Sequence, residues 1–311
     1  MNVFAEECPN LAKVVQGIST KSPFQKKSIN RFLEGVEPRY FRFAEDFVCS
    51  LVQALDRGEC HEYLVSAYLD YVKSIRVEEM YFARERRYQA TRFLDVHRRV
   101  YSRDDYMVDY VTGLGMTQLF WPNHWAIVTF FLDRFLPRVR AYERGAEVGC
   151  GHGLFHAQLL RGAPRLKTIL IDISPISLTI TRNMIKAAGL NPERIVATLC
   201  DVQKGIPVED DSLDVLLMGE IIEHLEEGEA VMTAMAAKMK PKGICYFTTA
   251  ANAPAEDHIL LFRSVGEIHD LLNRAGWDVC EEQIGTVGGM SVEEAEKGGH
   301  NINYAAILTA R

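Results

Sequence analysis

Three alternate glycines, Gly149, Gly151 and Gly153, follow Glu147 and Val148 at the end of a short apolar run, and Asp172 closes the next apolar run. Glycine lacks the Cβ that would collide with a ligand lying on the backbone, and a helix starting behind such a turn presents unpaired N–H groups. An acid about 20 residues on is where a ribose diol is held in the general nucleotide-binding βαβ plan. The spacing predicts a site for a nucleoside-bearing cofactor. A glycine-rich turn can also serve chain reversal alone, but three alternate glycines with an acid at this distance favour binding.

A second set lies downstream. Glu220, Glu223 and His224 stand at i, i+3 and i+4 in Glu220-Ile221-Ile222-Glu223-His224, the spacing that puts side chains on one face of a helical turn. With His258 from the next loop they offer two carboxylates and two imidazoles, a donor set for a divalent cation. A cation there would bind an acceptor and lower the pKa of its hydroxyl or enol. In the plainer reading Glu220 caps or orients, Glu223 is solvated and His224 packs, and His258 or His224 becomes the preferred general base.

The first half adds a bunch of rings, Tyr106, Tyr110, Trp121, His124 and Trp125. They form either an apolar lid in which Tyr110 and His124 touch an acceptor, or inter-domain core. The arginine-rich run 84–103 carries Tyr88, Phe93 and Tyr101; it reads as a solvated helix face more readily than as a clamp for an acidic small molecule.

Positioning these groups takes a sheet. From residue 144 short apolar runs alternate with helical segments, the signature of parallel βαβ units. Strands are predicted at 145–149, 168–172, 194–200, 213–218, 243–249, 278–284 and 303–309. Helices are predicted at 154–160, 175–188, 228–239 and 264–275, with Gly189 and Gly276 as stops. The glycine-rich stretch 285–299 is too weakly helical for a crossover, which makes the final strand a candidate antiparallel insertion. Residues 28–136 read as helical, with apolar residues three and four apart, as in Phe43, Phe47, Leu51, Leu55 and Tyr63, Ala67, Tyr71, Ile75. Open α/β sheets bind ligands at the carboxyl ends of their strands, so 220–224, 252–258 and 300–303 should converge.

Taken together, Glu147-x-Gly149-x-Gly151-x-Gly153, Asp172, Cys200-Asp201-Val202 and the run 214–225 (DVLLMGEIIEHL) resemble the motifs of class I S-adenosylmethionine-dependent methyltransferases, over roughly residues 140–311. The resemblance implies that the three glycines lie under the methionine portion of the cofactor, that Asp172 holds the ribose hydroxyls, that Asp201 meets the adenine amino group and that the Val202 backbone meets the ring. Glu147, Ile173 and Met218 complete the implied cofactor set. The segment 220–224 with His258 is similar to the ExxEH-plus-His metal site of small-RNA 3′-terminal 2′-O-methyltransferases, and resembles the metal-assisted O-methyltransferases of ubiquinone synthesis. A nicotinamide dehydrogenase is disfavoured, because its fingerprint wants a small residue where Leu154 stands. The expected fold class is α/β, a Rossmann-like seven-stranded, mostly parallel sheet with the last strand antiparallel, preceded by an all-α domain. The expected units are a helical lid or substrate domain over residues 1–140 and a catalytic domain over 141–311.

Composition narrows the partners. The chain has 311 residues, 48% hydrophobic and 25% charged, with a net charge of −7, as in an ordinary globular protein. Residues 1–140 hold 20 Lys and Arg against 18 Asp and Glu, leaving 15 of 35 against 24 of 42 for the rest. An acidic catalytic half would repel a phosphate backbone, so nucleic acid is disfavoured. No apolar run approaches the roughly 18 residues of a membrane span, and residues 1–10 carry Glu6 and Glu7 in place of a basic leader. Seven scattered cysteines without a CxxC pair fit a reducing cytoplasm. The expectation is a cytoplasmic S-adenosylmethionine-dependent methyltransferase of a small polar metabolite, an amino acid, keto acid or natural-product intermediate, with a divalent metal as an optional second cofactor and a homodimer allowed. An RNA 2′-O-methyltransferase and a non-catalytic cofactor-binding protein are the alternatives.

Overall fold

The computed structural model describes residues 6–55 and 60–311; positions 1–5 of the amino-terminal stretch discussed above lie outside them. The first half is helical: α1 Pro9–Lys21, α2 Pro23–Leu33, α3 Pro38–Leu55, α4 Cys60–Glu85, α5 Phe93–Val96, α6 Asp104–Phe120 and α7 Pro122–Phe130. Four of these open on proline, whose fixed φ suits the first helical position and whose missing N–H would have gone unpaired there anyway. Helix α3 buries Tyr40, Ala44, Phe47, Val48, Leu51 and Ala54 along one stripe. In α4 the buried stripe runs through Leu64, Ala67, Tyr68 and Tyr71, leaving Tyr63 and Ile75 half-buried beside it.

Helix α6 is buried along its second half because Gly113 and Gly115 let neighbours approach. A Cβ on Gly113 would lie 2.6 Å from the Ala67 carbonyl oxygen, and one on Gly115 would lie 3.2 Å from Cβ of His152. The two glycines thus press α6 onto α4 and onto the glycine-rich loop.

The second half forms one seven-stranded sheet in the order β3-β2-β1-β4-β5-β7-β6. Its strands are β1 Arg144–Val148, β2 Lys167–Asp172, β3 Ile195–Leu199, β4 Leu213–Gly219, β5 Met239–Ala251, β6 Trp277–Thr286 and β7 Ile302–Ala310. Strands β1 to β5 pair in parallel, and β7 runs antiparallel between β5 and β6, as the sequence predicts. Helices α8 Leu154–Gly162, α9 Pro175–Ala187, α10 Gly228–Ala236, α11 Val265–Arg274 and α12 Val292–Gly298 complete the chain. Gly189 and Gly276 take positive φ just past α9 and α11, the left-handed stop that glycine makes easy. Leu154, Ile180 and Met184, from α8 and α9, join the same apolar cluster as Leu11, Phe47, Leu64 and Met116, so the first half is built onto the sheet's own helices.

Two expectations need correction. The helix predicted at 228–239 stops at Ala236, because β5 starts at Met239 opposite Leu213. The stretch 285–299 contains α12, which its composition hides. Ser291 accepts from the Glu294 N–H while the Glu294 carboxylate accepts from the Ser291 N–H, and Gly299 closes the helix with φ of 64°. This reciprocal capping box supplies a start signal that overrides weak propensity.

Candidate active site

Strand order reverses at β1, whose neighbours are β2 and β4, and the loops leaving such a switch point open a crevice. A cavity of about 1250 Å³, its open mouth included, fills this crevice. Glu147, Gly149, Gly151, Asp172, Ile173, Asp201, Val202, Glu220, His224, Tyr110 and His124 all line it. No lysine or arginine is among the described residues on its wall.

The glycine loop has a separate reason for each glycine. Gly149, Gly151 and Gly153 all have positive φ, at 72°, 47° and 73°, a region costly for other residues. A Cβ on Gly149 would lie 1.8 Å from Cδ1 of Ile221, and one on Gly153 would meet Thr181 at 3.0 Å. At Gly151 nothing lies within 4 Å, so the missing side chain leaves a cradle on the cavity wall. Gly153 is off the wall and serves the turn, its N–H donating to the Cys150 carbonyl at 2.9 Å.

Asp172 ends β2 with Oδ1 accepting the Ser174 N–H at 2.8 Å and Oδ2 facing the Cys150 thiol at 3.6 Å. Burial raises its pKa, offset in part by these hydrogen bonds. Asp201 accepts the Gln203 N–H at 3.1 Å and pairs with exposed Lys204 at 3.1 Å. Glu147 lies 2.7 Å from Nδ1 of His156, whose Nε2 meets Thr168 Oγ1 at 2.8 Å; burial pushes the Glu147 carboxyl up. Met218 is 1% exposed in the sheet's apolar core and not on the wall.

The helical face expected for 220–224 is absent. The Glu220 N–H still donates to the Thr248 carbonyl and hydroxyl, both at 3.0 Å, so β5 holds this residue as a continuation of β4. Its φ is +52°, and only Ile222–His224 forms a short 3-10 turn. The turn still brings donors together. One atom each from Glu223, His224 and His258 lie within 4.8 Å of one another, a group that does not include Glu220; burial raises the Glu220 and Glu223 carboxyl pKa values, and the Glu220 charge raises Glu223 further. Glu223 is fully buried, which removes the solvated alternative; its Oε2 accepts from the Thr249 hydroxyl at 2.8 Å. Oε1 of Glu220 and Oε1 of Glu223 are buried and meet no N–H or O–H donor, and the two carboxyls lie within hydrogen-bonding reach of one another, a state that a shared proton or a bound cation relieves. His258 Nδ1 is 2.6 Å from the Ala253 carbonyl, so it carries the proton and Nε2 keeps its lone pair. His258 lies off the cavity wall, its ring 4.8 Å from that of His224; burial brings its pKa down to about 4.

Of the five rings bunched before the sheet, Tyr110 and His124 reach the cavity, while Trp121 and Trp125 pack in the helical cluster. The Tyr110 hydroxyl donates to Asp257 Oδ2 at 2.7 Å and burial holds its pKa far above the usual tyrosine value. His124 is buried and its pKa falls to about 3, by burial first and by His152 second. The arginines of 84–103 are exposed. Sequence reasoning missed His152, Gln118 and Asp257 on the wall. His152 stands between two of the motif glycines and Asp257 directly precedes His258, and those positions were the available signal.

Residues 146–247 match the family model described as a methyltransferase domain. A ubiquinone biosynthesis O-methyltransferase of Neisseria meningitidis serogroup A is 28% identical over 182 residues, which is 52% of this chain and 75% of the relative. One of Ralstonia nicotianae is 26% identical over 35% of this chain and 44% of its own. Among solved structures, mitomycin 7-O-methyltransferase superposes with a TM-score of 0.54 at 12% identity, covering 86% of this chain and 75% of that one. Phosphoethanolamine N-methyltransferase 2 of Haemonchus contortus, solved with S-adenosyl-L-methionine, gives 0.50 at 14% identity over 72% and 61%. Both likenesses are of fold. With the domain match and these relatives, the protein is an S-adenosylmethionine-dependent methyltransferase. The described helices of this methyltransferase include none long and apolar enough to cross a membrane.

Proposed function

We propose that this methyltransferase acts on an oxygen of a small, uncharged acceptor, with a divalent cation held at Glu220, Glu223, His224 and His258. The observation that carries the reading is the cluster of Glu223, His224 and His258, whose donor atoms lie within 4.8 Å of one another, with the buried Oε1 of Glu223 and of neighbouring Glu220 finding no N–H or O–H donor. Hard oxygen donors with imidazole nitrogen suit Mg²⁺, Mn²⁺ or Zn²⁺. When bound, such a cation would lower the pKa of an acceptor hydroxyl. The names of the O-methyltransferase relatives support oxygen as the accepting atom.

The cradle at Gly151 and the Asp172 carboxylate fit the methyl donor, with Asp201 and Val202 at its adenine end. Methyl transfer is an in-line displacement, so these residues chiefly align donor and acceptor. Helices α6 and α7 roof the cavity with Met107, Val111, Leu114 and Ile127 and so exclude water. A wall without lysine or arginine but with Glu147, Asp172, Glu220 and Asp257 gives an anionic acceptor no counter-charge other than the cation itself, which disfavours RNA and weakens the case for keto acids. The expected cytoplasmic location is supported by cysteines scattered along the sequence without a CxxC pair.

The test is labelled-methyl transfer to panels of hydroxylated, amine and carboxylate small molecules, with and without chelator. Transfer to neutral hydroxyl compounds that stops with chelator supports the reading, whereas chelator-resistant transfer to amines or carboxylates overturns it.

A further inference from the structure

Asp257 is 1% exposed and lies in the loop between β5 and α11, directly before His258. Its Oδ2 accepts hydrogen bonds from two hydroxyls of the helical half, Tyr101 at 2.9 Å and Tyr110 at 2.7 Å. The same oxygen is 3.4 Å from Nδ1 of His224, and the Asp257 carbonyl oxygen is 3.1 Å from that nitrogen. Two acceptors at one imidazole nitrogen place the proton on Nδ1, which leaves Nε2 of His224 with its lone pair. A carboxylate this deeply buried is held in place only by the donors around it, and the two tyrosines are among the few it has; its Oδ1 has none.

The grip extends along the loop. Arg99 donates to the Glu256 carbonyl at 2.7 Å, the Tyr106 hydroxyl meets the Glu256 carboxylate, and the Ala253 N–H donates to the Tyr88 hydroxyl at 3.2 Å. These partners come from the segment 88–110, far from the loop in sequence. The loop that carries His258 and orients His224 is therefore fixed from the helical half.

We propose that Asp257 is a positioning residue that presents Nε2 of His224 to the cation, and that Tyr101 and Tyr110 hold it there, so that docking of the helical half completes the cation site. The proposal rests on the cation reading above. Carboxylates and other groups behind a metal-bound histidine fix its tautomer and ring plane, and their loss lowers metal affinity about 10- to 100-fold.

The experiment titrates Mn²⁺ alone into the full chain by calorimetry, with Glu223→Gln, Asp257→Asn and the double variant Tyr101→Phe with Tyr110→Phe. Nitrogen-15 histidine spectra of each metal-free protein report the His224 tautomer, which general loosening of the fold would not shift selectively. Glu223→Gln should abolish binding, and the other two variants should weaken it about tenfold or more while the His224 proton leaves Nδ1 for a mixed population. Mn²⁺ affinity and tautomer both unchanged in the double variant, with binding lost in Glu223→Gln, would overturn the positioning role alone. Tight binding by Glu223→Gln would instead remove the cation reading, and the proposal with it. Should Asp257→Asn fail to fold, the tyrosine pair, whose rings remain in place, decides the matter.

Discussion

Gly149 and Ile221 occupy one another's side-chain space: a Cβ on the glycine would lie 1.8 Å from the isoleucine Cδ1. The contact ties the loop after β1 to the turn after β4, so the cofactor cradle and the acidic turn share one fixed spacing. Two residues further on, at Gly151, the same kind of backbone faces empty cavity.

Gly149→Ala and Gly151→Ala should therefore fail differently. The first forces Ile221 aside and should cost several kcal/mol, by overpacking plus the left-handed backbone. The second carries only the backbone cost of about 1–2 kcal/mol but should weaken S-adenosylhomocysteine binding tenfold or more. Thermal melts with calorimetry separate the two, and equal cofactor affinity in Gly151→Ala and the parent would contradict the cradle.

Asp172→Ala should weaken S-adenosylhomocysteine binding about tenfold or more, through loss of charge-assisted hydrogen bonds to a diol. The carboxylate also accepts the Ser174 N–H, so Asp172→Asn, which keeps an acceptor there, is the gentler variant. Unchanged affinity in both would take Asp172 out of the site.

Dialysis of the enzyme against a strong chelator should abolish most turnover, and added Mg²⁺ or Mn²⁺ should restore it. Glu223→Gln should not be restored at the same concentrations. Full turnover in metal-free buffer would leave the unpartnered oxygens of Glu220 and Glu223 without their proposed ligand.

His124 supplies a pH signature. Its folded pKa is about 3 against about 6.5 unfolded, so below pH 6.5 the unfolded chain takes a proton that the folded chain refuses. Its contribution is intact above pH 6.5 and is lost as pH falls toward 3, at up to about 1.4 kcal/mol per pH unit. Urea melts at pH 7 and 5.5 should show the parent losing about 1–2 kcal/mol more than His124→Gln. Parallel losses would mean that His124 is not buried neutral.

The sheet was legible because most strands carry a short apolar run with a period distinct from the helices around it, β6 with Glu281, Glu282 and Gln283 being the exception, and because Gly189 and Gly276 mark their helix ends chemically. The turn at Glu220 was not legible as built. Its spacing of three and four suits a helix, but the hydrogen bonds that its N–H donates to the carbonyl and hydroxyl of Thr248 belong to tertiary pairing that no local pattern encodes. Asp257 was hidden for the same reason: its partners Tyr101 and Tyr110 are about 150 positions away, and only the docking of the two halves brings them together. Helix α12 was hidden differently, since its glycine-rich surroundings obscured the Ser291–Glu294 cap that starts it.

Strand β7 lies between β5 and β6, although it follows both in the sequence. During synthesis both β5 and β6 are made before the strand that pairs with each of them, and β5 waits the longer. The nascent chain must therefore keep two unsatisfied strand edges from pairing with each other or with a neighbouring polypeptide. The last nine-residue strand closes both at once.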